Sequence, residues 1–368
     1  MKRTISIRLE TTEEQGQKLK QLQEAYHEAC NQIVPFVREN RCWNRFALHQ
    51  LVYSQVRKSS PLGSQMVCNA IFSVCKAYRA KAILPNEEVP LIQFRSSRSV
   101  HFDKRTYKIT DETISLYTLE KRIRVKMKIG LFQKSYISQG IPKEGELILK
   151  KGKWYFNLVL DLPDSMKREN ANTLGVDLGE NNVFAISTGK VKSGGEIRHK
   201  RDQYLAKRKR LQSNGSQSAK QLLKKISGKE GRHMRQINHE MSKEIIEEAI
   251  RQNAGCLVLE NLTNIRTRIR GGKRQRTRLN RWAFRQLQIF IEYKAEAKGI
   301  RVEYVNPAYS SQECSNCGCL GTRERHLFTC LCGNQQHADL NASRNLCRFA
   351  LGTPRATCAV NRTQVAAL

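Results

Sequence analysis

Three short acidic motifs carry side chains that could hold hard divalent metals. In chain order they are LGVDLG around Asp177, LVLENL around Glu260 and HADLNASRN around Asp339. Mg2+ prefers oxygen ligands and takes few protein groups, so one carboxylate from each of several segments suits it. Two such ions about 3.5–4 Å apart can activate a water and steady the leaving 3′ oxygen of a phosphodiester. Each acid also has an ordinary reading. An Asp between strand and turn is commonly a turn residue, and an Asp or Glu at the start of a helix commonly caps it. The metal reading rests on all three occurring in order around one alternating strand and helix pattern.

The neighbouring residues show how the acids could meet. In LGVDLG, strand alternation sends Leu174, Val176 and Leu178 to one face and Asp177 to the other, beside Gly175 and Gly179. Glu260 follows Cys256-Leu257-Val258-Leu259, a run apolar on both faces, as in a central parallel strand. Adjacent central strands would set Asp177 beside Glu260. Asp339 opens a helix whose Ala342, Leu346 and Ala350 form an apolar stripe. Packing that stripe on the sheet would bring Asp339 to the same point.

A second constellation is built of thiols. Five of the twelve cysteines fall between Cys314 and Cys332. Cys314-Ser-Asn-Cys317-Gly is a knuckle with zinc spacing. Its counterpart, Cys330-Leu-Cys332-Gly, has one intervening residue. Cys314, Cys317, Cys330 and Cys332 are the expected ligands of one structural Zn2+, with Cys319, His326 and His337 as spares. Four good ligands leave no open position, so a catalytic zinc is not expected. The remaining cysteines are scattered, often among apolar residues, which fits buried thiols in a reducing compartment.

The charge points to a polyanionic partner, nucleic acid first and an anionic membrane second. Of the 368 residues, 65 are Lys or Arg and 33 are Asp or Glu, a formal net charge of +32. Such a surface repels itself unless a polyanion covers it. Residues 266–285 hold nine Lys and Arg and no acid. Arg266, Arg268, Arg270, Lys273, Arg274, Arg276, Arg278 and Arg281, around Gly271-Gly272, read as a loop that tracks a phosphate backbone. Lys200 to Arg210 is a second basic run, on an expected helix, whose ordinary reading is a solvated face. Trp282, Tyr309 and Phe328 could stack on bases, with core packing the preferred reading. Neither an apolar stretch of the ~18 residues a bilayer requires nor a signal-peptide core is apparent. The expected location is the bacterial cytoplasm, in association with the nucleoid, with no membrane partner.

The elements that must position these residues fall into two halves. Residues 3–9 read as a strand, and residues 13–38 and 45–83 as helices broken at Ser59-Ser60-Pro61. Residues 90–162 alternate with period two and end in the hairpin GELILKKGKWYFNLVLDL, with its turn at Lys151-Gly152. From Leu174 strands and helices alternate, with helices expected over 234–253, 282–298 and 339–350. The expected fold is multidomain α+β. It has a β-barrel from residues 1–10 and 86–165, with a helical unit at 11–85 inserted into it. An α/β domain over 172–308 and 338–352 follows, interrupted by a ribbon at 309–337. Residues 353–368 form a weakly anchored tail.

The order LGVDLG, LVLENL, SSQECSNCG, FTCLCG, HADLNASRN resembles the transposon-encoded OrfB/TnpB family, compact relatives of type V CRISPR effectors. So does the stretch WAFRQLQIFIEYKAEAKGIRVEYVNPAYSSQECSNCG, and more weakly the N-terminal ISIRLETTEEQGQKLKQLQEAYHEACNQI. The specific match covers about residues 174–350. The resemblance implies a wedge-like barrel, a helical recognition unit, and an RNase H-like RuvC domain with a zinc-ribbon insertion. It implies that Asp177, Glu260 and Asp339 are catalytic acids holding two Mg2+. It also implies a guide RNA from the transposon end and a double-stranded DNA target cut beside a short motif. One protein copy with its RNA is the expected assembly. The family usually has two residues between the second pair of cysteines, where this chain has one. The leading expectation is therefore an RNA-guided DNA endonuclease. The alternatives are an RNA-guided DNA-binding regulator that does not cut, an unguided nucleic-acid-binding accessory of transposition, and a small CRISPR effector.

Overall fold

The computed structural model describes residues 1–168, 172–262, 284–306 and 310–351. The chain forms two compact units, Met1–Pro163 and Asp164–Leu368.

The first unit begins with β1 (Lys2–Glu10), whose Ile5, Ile7 and Leu9 point into the core. Thr12 then caps α1 (Glu13–Asn40), and Gln15 closes the capping box by returning its side chain to the Thr12 amide. The helices α2 (Arg45–Ser59) and α3 (Ser64–Arg79) pack beside α1. The buried Tyr26 hydroxyl ties α1 to α3, donating to the Asn69 carbonyl at 2.8 Å.

Strands β2 (Val100–Phe102), β3 (Tyr107–Thr110), β4 (Thr113–Leu116) and β5 (Ile123–Lys128) follow, then α4 (Leu131–Gln139), β6 (Ile141–Lys150) and β7 (Lys153–Asp161). They join β1 in an antiparallel sheet of order β2-β6-β7-β1-β5-β4-β3. The two edge strands, β2 and β3, are consecutive in sequence, and the Tyr107 hydroxyl on β3 donates to the Lys143 carbonyl on β6 at 3.2 Å. The sheet therefore curls almost into a barrel. The β6–β7 turn lies where expected. Lys151 and Gly152 both take positive φ, 52° and 72°, the conformation that matches the strand twist. The helix α4 interrupts a stretch expected to be all strand. None of its residues is buried, so no apolar period marks it in the sequence.

The second unit holds β8 (Thr173–Asp177), β9 (Asn182–Ile186), β10 (Val191–Ser193), α5 (Gly195–Asn214), α6 (Gln217–Arg251) and β11 (Cys256–Glu260). After these come α7 (Phe284–Glu296), β12 (Arg301–Val305), β13 (Thr322–Glu324), β14 (Leu327–Thr329), β15 (Gln335–His337) and α8 (Ala338–Ala350). The main sheet has the order β10-β9-β8-β11-β12, with β8, β11 and β12 parallel. Helices cover both faces, as the doubly apolar β11 requires. Leu174, Val176, Leu257 and Leu259 share a core with Ile245 of α6 and Leu287 and Ile291 of α7. On the opposite face Cys256 and Val258 pack against Leu346 of α8. The helix α6 begins seventeen residues before its expected start at 234. Its first half is rich in Lys and has no apolar period, and only the half from Ile237 onward enters the core.

Gly175 sets how closely α8 approaches the sheet. A Cβ built there would stand 1.9 Å from the Ser343 carbonyl oxygen. Only glycine lets the helix carrying Asp339 lie this near the strand carrying Asp177.

Candidate functional site

The pairing register brings the first two acids together. Leu259 on β11 lies opposite Val176 on β8, so Glu260 and Asp177 occupy the carboxyl ends of neighbouring parallel strands. This is where open α/β sheets hold their ligands. The two carboxyl groups stand close enough for each to shift the other's ionisation. Burial, then the charges of Glu260 and Asp339, push the Asp177 carboxyl well above the usual carboxylate range. Burial raises Glu260 as well, although hydrogen bonds from Asp177 and Ser310 partly oppose the rise. The Gln288 amide on α7 donates to the Glu260 carbonyl at 2.9 Å and fixes the strand end.

Asp339 enters from the first turn of α8. His337 caps that helix, its Nδ1 accepting the Asp339 N–H at 3.2 Å, so Asp339 is not the cap. The side chain of Asp339 is nearly buried, and both of its oxygens have partners. Asn182 on β9 donates to Oδ2 at 2.8 Å, and Arg323 on β13 donates to Oδ1 at 3.0 Å. Three carboxyl groups from three segments thus converge, with one guanidinium beside them. Burying like charges this way is costly unless protons or cations compensate. Oxygen donors from several segments are the chemistry that hard divalent cations take.

The ribbon sheet β13-β14-β15 precedes α8 and is locked to it. Asn341 and Asn345, one turn apart and fully buried, reach the Glu313 carbonyl at 2.6 and 2.7 Å. Asn341 also accepts the Ser315 N–H at 2.8 Å. Sγ atoms of Cys314, Cys317, Cys330 and Cys332 all lie within 4.8 Å of one another. Cross-knuckle pairs stand 3.7 Å (Cys314–Cys332) and 3.5 Å (Cys317–Cys330) apart. A regular tetrahedron with Zn–S near 2.3 Å needs about 3.8 Å between sulfurs, so the four can hold one zinc. The short second knuckle closes by a tighter turn. Gly318 N–H returns to the Cys314 carbonyl four residues back, while Gly333 N–H returns to Cys330 three residues back. Both glycines take positive φ, 78° and 83°.

Burial raises the Cys317 and Cys330 thiols, Cys330 to about 12. Burial also acts against ionisation of Cys314, but the Cys317 amide and the Asn334 side chain outweigh it and bring that thiol down to about 6. Cys314 is thus the first thiolate of the set.

The two spare histidines take other partners. His337 caps α8 and stacks on His326. Phe328 is fully buried against Cys314 and Ala338, which makes it core. Arg266, Arg268, Arg270, Lys273, Arg274, Arg276, Arg278 and Arg281 lie outside the described residues, as do Trp282, Tyr309 and residues 353–368. Asn182, Arg323, Asn341 and Asn345 were not singled out from the sequence. The Asn341–Asn345 spacing on a helix was the one local signal available.

The second unit is thus a mixed sheet that carries the acid cluster, with a thiol-rich ribbon leading into α8. Residues 158–266 match the probable transposase family OrfB_IS605, and residues 284–346 match the Cas12f1-like TNB domain. A TnpB-like protein of Methanocaldococcus jannaschii is 33% identical, over 61% of this chain and 85% of that protein. The chain belongs to the TnpB (OrfB) family, whose relatives include RNA-guided nucleases. The CRISPR-associated endodeoxyribonuclease Cas12f1 of Sulfoacidibacillus thermotolerans is 32% identical, over 54% of this chain and 50% of its own length. Among solved structures, a Cas12f1–sgRNA–target DNA complex shares the fold with a TM-score of 0.64 and 16% identity, over 91% of this chain and 83% of that one. No helix among the described residues is long and apolar enough to cross a membrane.

Two tests follow from this geometry. Asp177 holds its proton more tightly folded than unfolded, so its contribution to stability falls as pH rises from the unfolded carboxylate value through the raised one. In buffer free of divalent metal, Asp177→Asn should raise Tm at pH 8 by roughly 2–4 °C for each kcal/mol relieved, and by less at pH 5. A lower Tm at both pH values would contradict the buried-charge reading. Elemental analysis should find about one zinc per chain. Cys332→Ser should lower that content, whereas a folded, zinc-free parent would remove the ribbon's metal.

Proposed function

We propose that this protein is an RNA-guided, Mg2+-dependent DNA endonuclease encoded by a transposon. It would cut double-stranded DNA beside a short motif at a single site formed by Asp177, Glu260 and Asp339. The observation that carries the reading is the convergence of these three carboxyls at the carboxyl ends of β8 and β11 in a TnpB-family chain. The Cas12f1 relatives named as endodeoxyribonucleases support it. In this reading the second unit is an RNase H-like RuvC domain over 172–308 and 338–352, with a zinc ribbon at 309–337. Residues 1–10 and 86–165 form the wedge-like barrel, and 11–85 the helical recognition unit. The guide comes from the transposon end and pairs with the target strand, while the protein reads backbone shape and the adjacent motif. The Arg-rich residues 266–281 serve the phosphate backbone.

The chain's own residues do four things. Asp177, Glu260 and Asp339 would hold two Mg2+, which lower the pKa of an attacking water and offset charge on the leaving 3′ oxygen. The water oxygen bonds to phosphorus, the bond from phosphorus to the 3′ oxygen breaks, and the products are a 5′-phosphate and a 3′-hydroxyl. Burial opposes ionisation of Asp177 and Glu260, and bound cations would offset that cost. Arg323 on Asp339 Oδ1 would compete with a cation for that carboxylate. Asn182, on Oδ2, keeps the Asp339 carboxylate oriented throughout. Arg323 is then free to meet the phosphate.

Sequencing the RNA that copurifies should reveal one structured species ending in a variable segment, and random RNA would overturn the guided reading. With that RNA and its matched DNA, Asp177→Ala should abolish cutting in Mg2+ while RNA affinity is unchanged. A parent that binds its target without cutting would make the protein a DNA-binding regulator. Without nucleic acid, Arg323→Gln should tighten Mn2+ binding by about tenfold, some 1.4 kcal/mol, because the competing cation is gone. Unchanged or weaker Mn2+ binding would show that Arg323 does not guard Asp339.

A further inference from the structure

Ser310 and Asn345 form a buried link between α8 and the second acid. The Ser310 hydroxyl donates to Glu260 Oε1 at 3.5 Å, the outer limit for such a donor. A carboxylate that bears charge draws a hydroxyl in to about 2.5–2.7 Å. The contact therefore counts for most when Glu260 is ionised, as a metal ligand must be.

The main chain of Ser310 is set by Asn345. Asn345 Nδ2 donates to the Ser310 carbonyl at 2.8 Å and to the Glu313 carbonyl at 2.7 Å. Its Oδ1 accepts from the Arg348 guanidinium at 3.2 Å. Asn345 is fully buried, and a buried amide is costly unless its donors and acceptor are met, as they are here. One turn earlier Asn341 also donates to the Glu313 carbonyl, at 2.6 Å. These bonds fix residues 310–313 on α8.

Fixing that segment needs no hydroxyl at position 310. An alanine there would keep the backbone contact with Asn345 and bury no polar side chain. Yet Ser310 is buried, and among the described residues its hydroxyl has Glu260 alone as partner. Asp339 stands on the same helix, six residues before Asn345. The Glu260 main chain is held from the other face of the sheet, where Gln288 of α7 donates to its carbonyl at 2.9 Å. Thus α7 fixes the strand end, while α8 reaches the carboxyl group.

We propose that Ser310 is a positioning residue for the Glu260 carboxylate, and that Asn345 in turn positions Ser310. With Oε1 held, the carboxylate keeps one orientation and loses less freedom on taking a cation. Hydrogen-bond partners of ligating carboxylates contribute about 10–100-fold to metal affinity. In this way α8 carries one acid directly and steadies a second through two buried side chains. The inference rests on the metal-binding reading of the three acids above.

Mn2+ is titrated into the full-length protein without nucleic acid, and free Mn2+ is read from its EPR signal. Ser310→Ala should keep the parent Tm and zinc content, yet weaken Mn2+ binding about tenfold. Ser310→Thr, which retains a hydroxyl, should recover most of that loss. Asn345→Ala should weaken Mn2+ binding by a similar factor alone, but by less than about twofold in the Ser310→Ala background, because the two residues act in series. In a cutting assay the Ser310→Ala defect should appear at limiting Mg2+ and be restored by about tenfold more Mg2+, which a general loss of fold would not allow. Parent-like Mn2+ affinity in Ser310→Ala would overturn the proposal, as would equal losses from Asn345→Ala in both backgrounds. A parent that takes up Mn2+ but does not cut would sink the endonuclease reading alone, whereas a parent that takes up no Mn2+ would overturn both.

Discussion

The second unit depends on how closely α8 can lie against β8. Gly175 offers no Cβ, so the Ser343 carbonyl sits where a side chain would otherwise begin. That approach places Asp339 near Asp177, while the β8–β11 register places Glu260 there independently. Three acids would not gather by their own chemistry, since each raises the cost of ionising the others. The packing of Leu174, Val176, Leu257, Leu259 and Leu346 supplies the opposing stabilisation. The cluster is an electrostatic liability held in place by an apolar core.

Arg323 and Asn182 show how the free protein tolerates the cluster. Each partners one oxygen of Asp339, and burial disfavours the charged forms of Asp177 and Glu260. The ribbon that carries Arg323 is anchored by Asn341 and Asn345 on the same helix as Asp339. Ribbon and acid site are therefore mechanically one object. A ribbon held by its four thiols keeps Arg323 in reach of Asp339, which gives the ribbon a consequence for the site beyond its own stability.

Periodicity and spacing made several features readable in advance. The β6–β7 hairpin was legible because Lys151-Gly152 is a strong turn signal between alternating strands. The four thiols were legible from spacing, and their meeting despite the short second gap follows from the tighter turn at Gly333. The helix α4 was hidden because it buries nothing, and the first half of α6 because its residues face solvent or a narrow seam. Both are cases in which the apolar period, the main signal in a single sequence, is missing.

The sequence alone determined the identities of the acids and thiols, the strand faces around Asp177 and Glu260, and the excess of positive charge. These follow from residue type and local period. Tertiary structure decided which strands are neighbours, how near α8 lies to the sheet, and that Arg323 and Asn182 attend Asp339. Those contacts join residues 16 and 157 positions apart. No local pattern encodes such pairs, because they arise only when separate elements bury their apolar faces together.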